Sequence, residues 1–191
     1  MAISENHHFH LPAHDPDRRQ REDPEAILRG LGLRTGQTFV DVGCGGGYYT
    51  IPASRIVGPG GRVFGIDVNQ ESLDELREAA ERAGLTNISR ILGRGEETVV
   101  CEQCADLVFL ASVLHDFDDP AAVLRNANVM LKEAGQLLDL DWKKKSASIG
   151  PPLWKRLSQA AASKLIRDAG FTVLRSEDRG YSYLIVGTPK R

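Results

Sequence analysis

Residues 39–48 read Phe-Val-Asp-Val-Gly-Cys-Gly-Gly-Gly-Tyr, an apolar run that ends in Gly43, Gly45, Gly46 and Gly47. Glycine lets a backbone turn tightly and approach a ligand closely, and it loses the most conformational entropy on ordering. So many glycines together argue for a use. A second apolar run, Arg62 to Val68, carries Asp67 near its end. A carboxylate there can accept hydrogen bonds from both hydroxyls of a ribose. Glycine loop, following helix, strand and terminal acid together describe a nucleoside site at the carboxyl ends of parallel strands.

The spacing narrows the ligand. A dinucleotide site asks for G-x-G-x-x-G with pyrophosphate on a helix N-terminus. Counted from Gly43, its last glycine falls on Tyr48. The pattern present is Asp-x-Gly-x-Gly-x-Gly, at Asp41, Gly43, Gly45 and Gly47, with bulky Tyr48 and Tyr49 after it. This favours a ligand without pyrophosphate and disfavours a nicotinamide-dependent oxidoreductase.

The segment VDVGCGGGYYT (Val40–Thr50) resembles motif I of the class I S-adenosylmethionine (SAM)-dependent methyltransferases, and GIDVN (Gly65–Asn69) resembles their ribose-binding segment. ADLVFLASVLHDFDDP (Ala105–Pro120) and LKEAGQLLDLDWKKK (Leu131–Lys145) are similar to the regions around the family's fourth and fifth strands. The likeness runs in order from about residue 24 to 188. It is strongest to small bacterial and archaeal methyltransferases with Asp-Trp-Lys-Lys and Gly-Pro-Pro segments, here Asp141–Lys144 and Gly150–Pro152. The resemblance implies a Rossmann-like α/β fold, SAM as cofactor with S-adenosylhomocysteine (SAH) as product, and an unidentified, small-molecule acceptor.

By the same resemblance, Gly43, Gly45 and Gly47 line the methionine part of SAM, and Asp41 helps hold its ammonium group. Asp67 takes the ribose, and Val68 lies against adenine. Ala111 and Ser112 touch the sulfonium side. Relatives with Gly-Asp-Ala-Glu after the third strand place its aspartate on the adenine amino group. Here the segment is Gly93-Arg94-Gly95-Glu96, and arginine cannot accept that bond. Backbone groups at Gly95, or Glu96, are the substitutes.

A sulfonium methyl is already electrophilic, so transfer asks mainly for positioning and exclusion of water. A base is needed only if the acceptor keeps a proton. His115, after the fourth apolar run, is the candidate base by position; the plainer reading is a histidine that hydrogen-bonds a loop. Cys101 and Cys104 form a lone C-x-x-C, short of the four ligands of a closed zinc site, and read as two loop cysteines. His7, His8, His10 and His14 match no standard metal spacing. No metal is expected. Trp142 and Trp154 flank Gly-Pro-Pro and suit the wall of an acceptor pocket, while Lys143, Lys144 and Lys145 read as a solvated run or an attraction for an anionic acceptor.

These residues need a scaffold. Apolar runs at Thr38–Val42, Arg62–Val68, Ile88–Leu92, Ala105–Leu110, Gln136–Leu140, Phe171–Arg175 and Ser182–Gly187 read as seven strands. Helical patterns lie between them, at Pro24–Leu31, after the glycine loop, at Asn69–Ala83, Pro120–Leu131 and Ser158–Ala169. Asp23 and Asp119 each precede a proline, as N-caps do. Alternation of strand and helix predicts a doubly wound, mostly parallel sheet with helices on both faces. The last two strands are too close for a crossover helix and pair antiparallel.

The 191 residues suit one domain. Residues 1–23 are a polar arm or lid, and residues 24–191 the catalytic domain. A net charge of −2 without a long basic run points away from nucleic acid. No apolar run reaches the ~20 residues of a membrane span. The N-terminal residues do not have the form of a signal peptide, and three cysteines make no disulfide framework. A reduced, cytoplasmic, soluble enzyme is the expectation, without a prediction of its oligomeric state. A SAM-binding sensor without transferase activity is the alternative.

Overall fold

Val40, Val108 and Leu137 belong to one buried cluster, and their neighbours Phe39, Leu107 and Leu138 to another. Side chains alternate across a strand, so these strands are covered on both faces. That is why they read as nearly unbroken apolar runs. The computed structural model describes residues 22–146 and 149–190. The expected arm, apart from Glu22 and Asp23, lies outside the described residues.

The elements run α1 (Pro24–Gly30), β1 (Thr38–Val42), α2 (Thr50–Val57), β2 (Arg62–Asp67), α3 (Gln70–Arg82), β3 (Ile88–Leu92) and β4 (Ala105–Ala111). A 3-10 turn (Leu114–Asp116) leads to α4 (Pro120–Met130), β5 (Leu131–Trp142), α5 (Gln159–Asp168), β6 (Phe171–Arg179) and β7 (Ser182–Pro189). One seven-stranded sheet has the order β3-β2-β1-β4-β5-β7-β6. The pairs β3-β2, β2-β1, β1-β4 and β4-β5 are parallel; β7 is antiparallel to both β5 and β6.

Leu28 of α1 and Ala53 and Ile56 of α2 close one face. Val123 and Leu124 of α4 and Ile166 of α5 close the other. Four caps start helices where their residue types direct. Asp23 accepts from Glu25 and Ala26 N–H, Asn69 from Ser72, Asp119 from Ala122 and Ser158 from Ala161. Each such bond satisfies an N–H left over by the first turn, and its loss costs about 1 kcal/mol.

Four strands outrun the predicted bounds: β4 ends at Ala111 and β7 at Pro189, and β5 and β6 run further still. β5 starts at Leu131 rather than Gln136, with a register irregularity between Ala105 and Leu107 of its partner β4. Lys132, Glu133 and Ala134 are exposed, so they carry no apolar signal. β6 continues to Arg179 through the exposed Arg175 and Ser176. The fully reduced state expected for the cysteines is also corrected: Cys101 and Cys104 are joined in a disulfide, and Cys44 is free and buried.

Candidate active site

β1 stops where its glycines begin. Gly43 and Cys44 both donate backbone N–H groups to the Ile66 carbonyl, at 2.8 and 3.1 Å, which holds the loop against the end of β2. Gly43, Gly45 and Gly47 all have positive φ, at 75°, 51° and 92°. Their missing side chains face different things. A Cβ on Gly43 would meet Val113 Cγ2 at 2.5 Å, and one on Gly47 would meet Leu76 Cδ1 at 2.5 Å. A Cβ on Gly45 would meet nothing within 4 Å. Two of these glycines thus make room for the protein's own packing, and Gly45 faces open space.

Asp67, only 5% exposed, ends β2 beneath this loop. One carboxylate oxygen accepts from Gly45 N–H at 2.8 Å and the other from Asn69 N–H at 2.9 Å. A carboxylate has about four acceptor positions, so lone pairs remain for ligand hydroxyls. Asp41 is buried in β1 and accepts from the Thr50 hydroxyl at 2.6 Å, which fixes it to the first residue of α2. Burial pushes the Cys44 thiol well above its usual pKa, and the charges of Asp41 and Asp67 push it further. The space under the glycine loop is therefore negative, which suits a cationic ligand.

The rim continues along the carboxyl ends of neighbouring strands. Val68 is exposed beside Asp67. Gly95 is buried, and a Cβ there would meet Val42 Cγ1 at 2.9 Å and Phe117 Cε1 at 3.1 Å. Glu96 is held in place: its Oε1 accepts from Arg94 and from Asp118 N–H, each at 3.2 Å. Arg94 also donates to Asp118 at 2.8 Å. Asn126 of α4 donates to the Gly95 and Glu96 carbonyls at 3.0 and 2.8 Å, a tie without a signal in the sequence. Ala111 ends β4, and Ser112 follows with φ 58° and an N–H donated to Leu140 at 2.7 Å.

His115 stands behind this rim. Its side chain is 1% exposed, with Nδ1 at 2.7 Å from Asp141 Oδ1 and Nε2 at 3.4 Å from Asp116 Oδ2. Lys155 donates to the other oxygen of Asp116 at 2.8 Å. Burial opposes the imidazolium, but hydrogen bonds to Asp116 and Asp141 and their charges outweigh it and raise its pKa to about 9. Asp116 is likewise opposed by burial, and its bonds to His115 and Lys155 bring it down to about 2. Sequence reasoning did not single out Asp139, which is fully buried with both oxygens unpartnered among the described residues. The signal was the alternation Asp139-Leu140-Asp141, two acids facing inward from an apolar strand.

The loop after β5 is organised by a buried arginine. Arg156, 4% exposed, donates to the carbonyls of Pro151, Lys143, Lys145 and Ile149 at 2.7, 3.3, 3.0 and 2.7 Å. Its guanidinium lies 5.4 Å from the centre of the Trp142 ring. Among the described residues, three or more His, Cys, Asp or Glu side chains nowhere gather as for a metal ion. No described helix is long and apolar enough to cross a membrane.

Similarities to known proteins identify the family and the fold. The family model described as "Methyltransferase domain" matches residues 33–170. The crystal structure of a SAM-dependent methyltransferase from Aquifex aeolicus is 30% identical and superposes with a TM-score of 0.86, over 92% of this chain and 94% of that one. A putative type 11 methyltransferase from Sulfolobus solfataricus shares the fold at 24% identity and a TM-score of 0.74, over 90% and 94% of the two chains. A demethylmenaquinone methyltransferase of Staphylococcus aureus is 30% identical over 115 residues, which are 60% of this chain and 47% of the relative. The chain thus spans about half the length of the curated relatives it matches.

Proposed function

The chain belongs to the methyltransferase-domain family, and from that membership we propose which of its residues carry SAM-dependent methyl transfer and what kind of acceptor they serve. The enzyme is a SAM-dependent methyltransferase that releases SAH. The observation that carries the site assignment is the pairing of an open Gly45 with the Asp67 carboxylate bonded to its N–H. When bound, SAM supplies a methyl group made electrophilic by the positive sulfur. The residues supply a seat for it.

Asp67 holds the ribose hydroxyls with the lone pairs left over from Gly45 and Asn69. Gly45 lets the amino-acid portion lie on the loop, with Gly43 and Gly47 shaping that loop. The Asp41 and Asp67 charges favour the ammonium and sulfonium of the ligand, and Asp41 acts through the Thr50 end of α2. Val68 covers adenine, and backbone groups at Gly95 replace the missing acid at Arg94. Glu96 keeps that segment in place through Arg94 and Asp118. Ala111 and Ser112 border the methyl group. His115 is better placed as a positioning residue than as a base: its Nδ1 and backbone N–H both meet the Asp141 carboxylate, which fastens the turn after β4 to β5. The acceptor is a small molecule, a reading supported by the quinone-named relative.

Calorimetry tests the cofactor: SAM and SAH bind, and nicotinamide dinucleotides bind far more weakly. Formation of SAH with a metabolite library tests the transfer. Tight NAD binding without SAM binding overturns the assignment. SAM binding without SAH formation across such a library favours the sensor.

A further inference from the structure

Among the described residues, two besides glycine have positive φ: Ser112, at the rim of the site, and Gln103, at 48°. Gln103 sits between Cys101 and Cys104, whose sulfurs are bonded and whose Cα atoms are 6.0 Å apart. Glu102 and Gln103 are exposed and the two cysteines half-buried, so the bond lies under a solvent-facing turn. A disulfide stabilises more the longer the loop it closes. With only Glu102 and Gln103 between its ends, this one is poorly suited to that role. A left-handed backbone at a non-glycine residue costs energy, and such costs cluster where they serve a mechanism.

The turn ends a segment that also borders the site. Residues 93–104 connect β3 to β4 and are tied to α4 along the way. At the upper end Gly93 donates its N–H to the carbonyl of Asp67 at 2.9 Å, and Asn126 of α4 donates to the carbonyls of Gly95 and Glu96. At the lower end Gln103 and Cys104 donate to the carbonyls of Val129 and Met130, in the last turn of α4, each at 3.0 Å. Val100 and Cys104 pack against the core cluster that α4 covers. Cys104 is thus anchored by main chain and packing, next to the first residue of β4. The disulfide fastens Cys101 to that anchor and so fixes where residues 97–101 end.

Resting on the proposal that backbone groups at Gly95 border the adenine of SAM, we propose that Cys101–Cys104 is a site of reversible thiol–disulfide exchange whose oxidised form keeps the cofactor site ordered. The partner is a dithiol reductant. One of its thiolates attacks a sulfur of the pair, the S–S bond breaks, and a mixed disulfide forms; its second thiol then displaces the cysteine it holds. Two electrons and two protons pass to Cys101 and Cys104, and the reductant is left as a disulfide. Reduction frees Cys101 from Cys104 and lets Gln103 leave its left-handed backbone. Residues 97–101 then lose their lower attachment, while Asn126 keeps the upper one. SAM binding must order this stretch again, which lowers affinity without any change at Asp67 or Gly45.

Comparison of the full chain as the disulfide and after reduction by dithiothreitol tests this. On reduction, mass spectrometry is expected to find Cys101 and Cys104 newly labelled by iodoacetamide. Amide hydrogen exchange at residues 97–102 is expected to quicken, with no ligand present. Calorimetry is expected to show SAH bound about fivefold more weakly, the lower end of the usual coupling between two sites. The double variant Cys101→Ser, Cys104→Ser is expected to match reduced wild type and to be indifferent to dithiothreitol. Resistance of the bond to dithiothreitol in the folded protein, unchanged hydrogen exchange at residues 97–102, equal SAH affinity in the two states, or a redox difference that persists in the double variant each overturns the proposal. SAH binding by neither state overturns the cofactor site instead, and the hydrogen-exchange comparison still decides whether the bond controls residues 97–102.

Discussion

Nδ1 of His115 lies 2.7 Å from Oδ1 of Asp141, and the His115 backbone N–H donates to the other oxygen of the same carboxylate at 3.2 Å. One carboxylate on β5 thus grips both the ring and the main chain of the turn that follows β4. With Asp116 on the opposite side and Lys155 beyond it, the turn is fastened to β5 and to the segment before α5.

The folded-state pKa of His115, about 9, is above its ordinary 6.5. Its contribution to stability is therefore full below pH 6.5 and lost as the pH rises through about 9. Urea midpoints of wild type and His115→Gln are expected to differ most near pH 6 and to converge by pH 10. A gap that widens over that range would contradict an imidazole whose protonated form is favoured beside Asp141 and Asp116. Asp116 works in the other direction: its contribution is present above its ordinary 3.8 and lost as the pH falls through about 2.

Asp139 is held well above the ordinary carboxylate range, first by burial and then by the charge of Asp141, with His115 opposing. A raised carboxyl pKa costs stability above the unfolded-state value, so Asp139→Asn is expected to be neutral near pH 4 and stabilising at pH 7. The gain is expected to grow at first by about 1.4 kcal/mol per pH unit. Thermal melts of both proteins at several pH values check it; a variant that is less stable throughout would mean that the carboxyl makes an essential bond.

Asp67→Ala is expected to weaken SAM binding ten- to a hundredfold, equivalent to about 1.5–3 kcal/mol for a charge-assisted bond. Calorimetry on the folded variant decides it, and an unchanged affinity would move the ribose elsewhere.

Gly43→Ala and Gly45→Ala separate packing from binding. The first drives a methyl group into Val113 and is expected to lower the melting temperature, with partial rescue by Val113→Ala. The second meets no atom, so beyond the strain of its φ it is expected to act mainly on SAM affinity. Equal destabilisation by both, with SAM affinity intact for Gly45→Ala, would remove Gly45 from the site.

The arm is proposed as a lid over the acceptor side, and Glu22 marks where it reaches the tyrosines of the glycine loop. A chain beginning at Asp23 is expected to fold and bind SAM but to lose most of its methyl transfer. Full activity in that variant would make the arm a tail.

Much of the fold was legible because the strands are buried on both faces and because Asp23, Asn69, Asp119 and Ser158 announce helices by their chemistry. The glycine loop and Asp67 were legible through spacing. The Asp139, Asp141 and His115 cluster was not, since it is assembled from β5 and a turn more than twenty residues earlier, and no local pattern encodes that meeting. The extra length of β5 and β6 was hidden because their exposed residues are ordered by backbone pairing rather than by apolar side chains.

The placement of β7 between β5 and β6 has a consequence during synthesis. β5 emerges first and β6 next, and neither can pair with the other until Ser182–Pro189 has left the ribosome. For that interval the inner edge of β5, with its apolar Leu138 and Leu140, presents unsatisfied N–H and C=O groups. The half of the sheet that carries the glycine loop can form earlier, from β1 to β4. The nascent chain is thus most open to aggregation or chaperone capture in the span between its fifth and seventh strands.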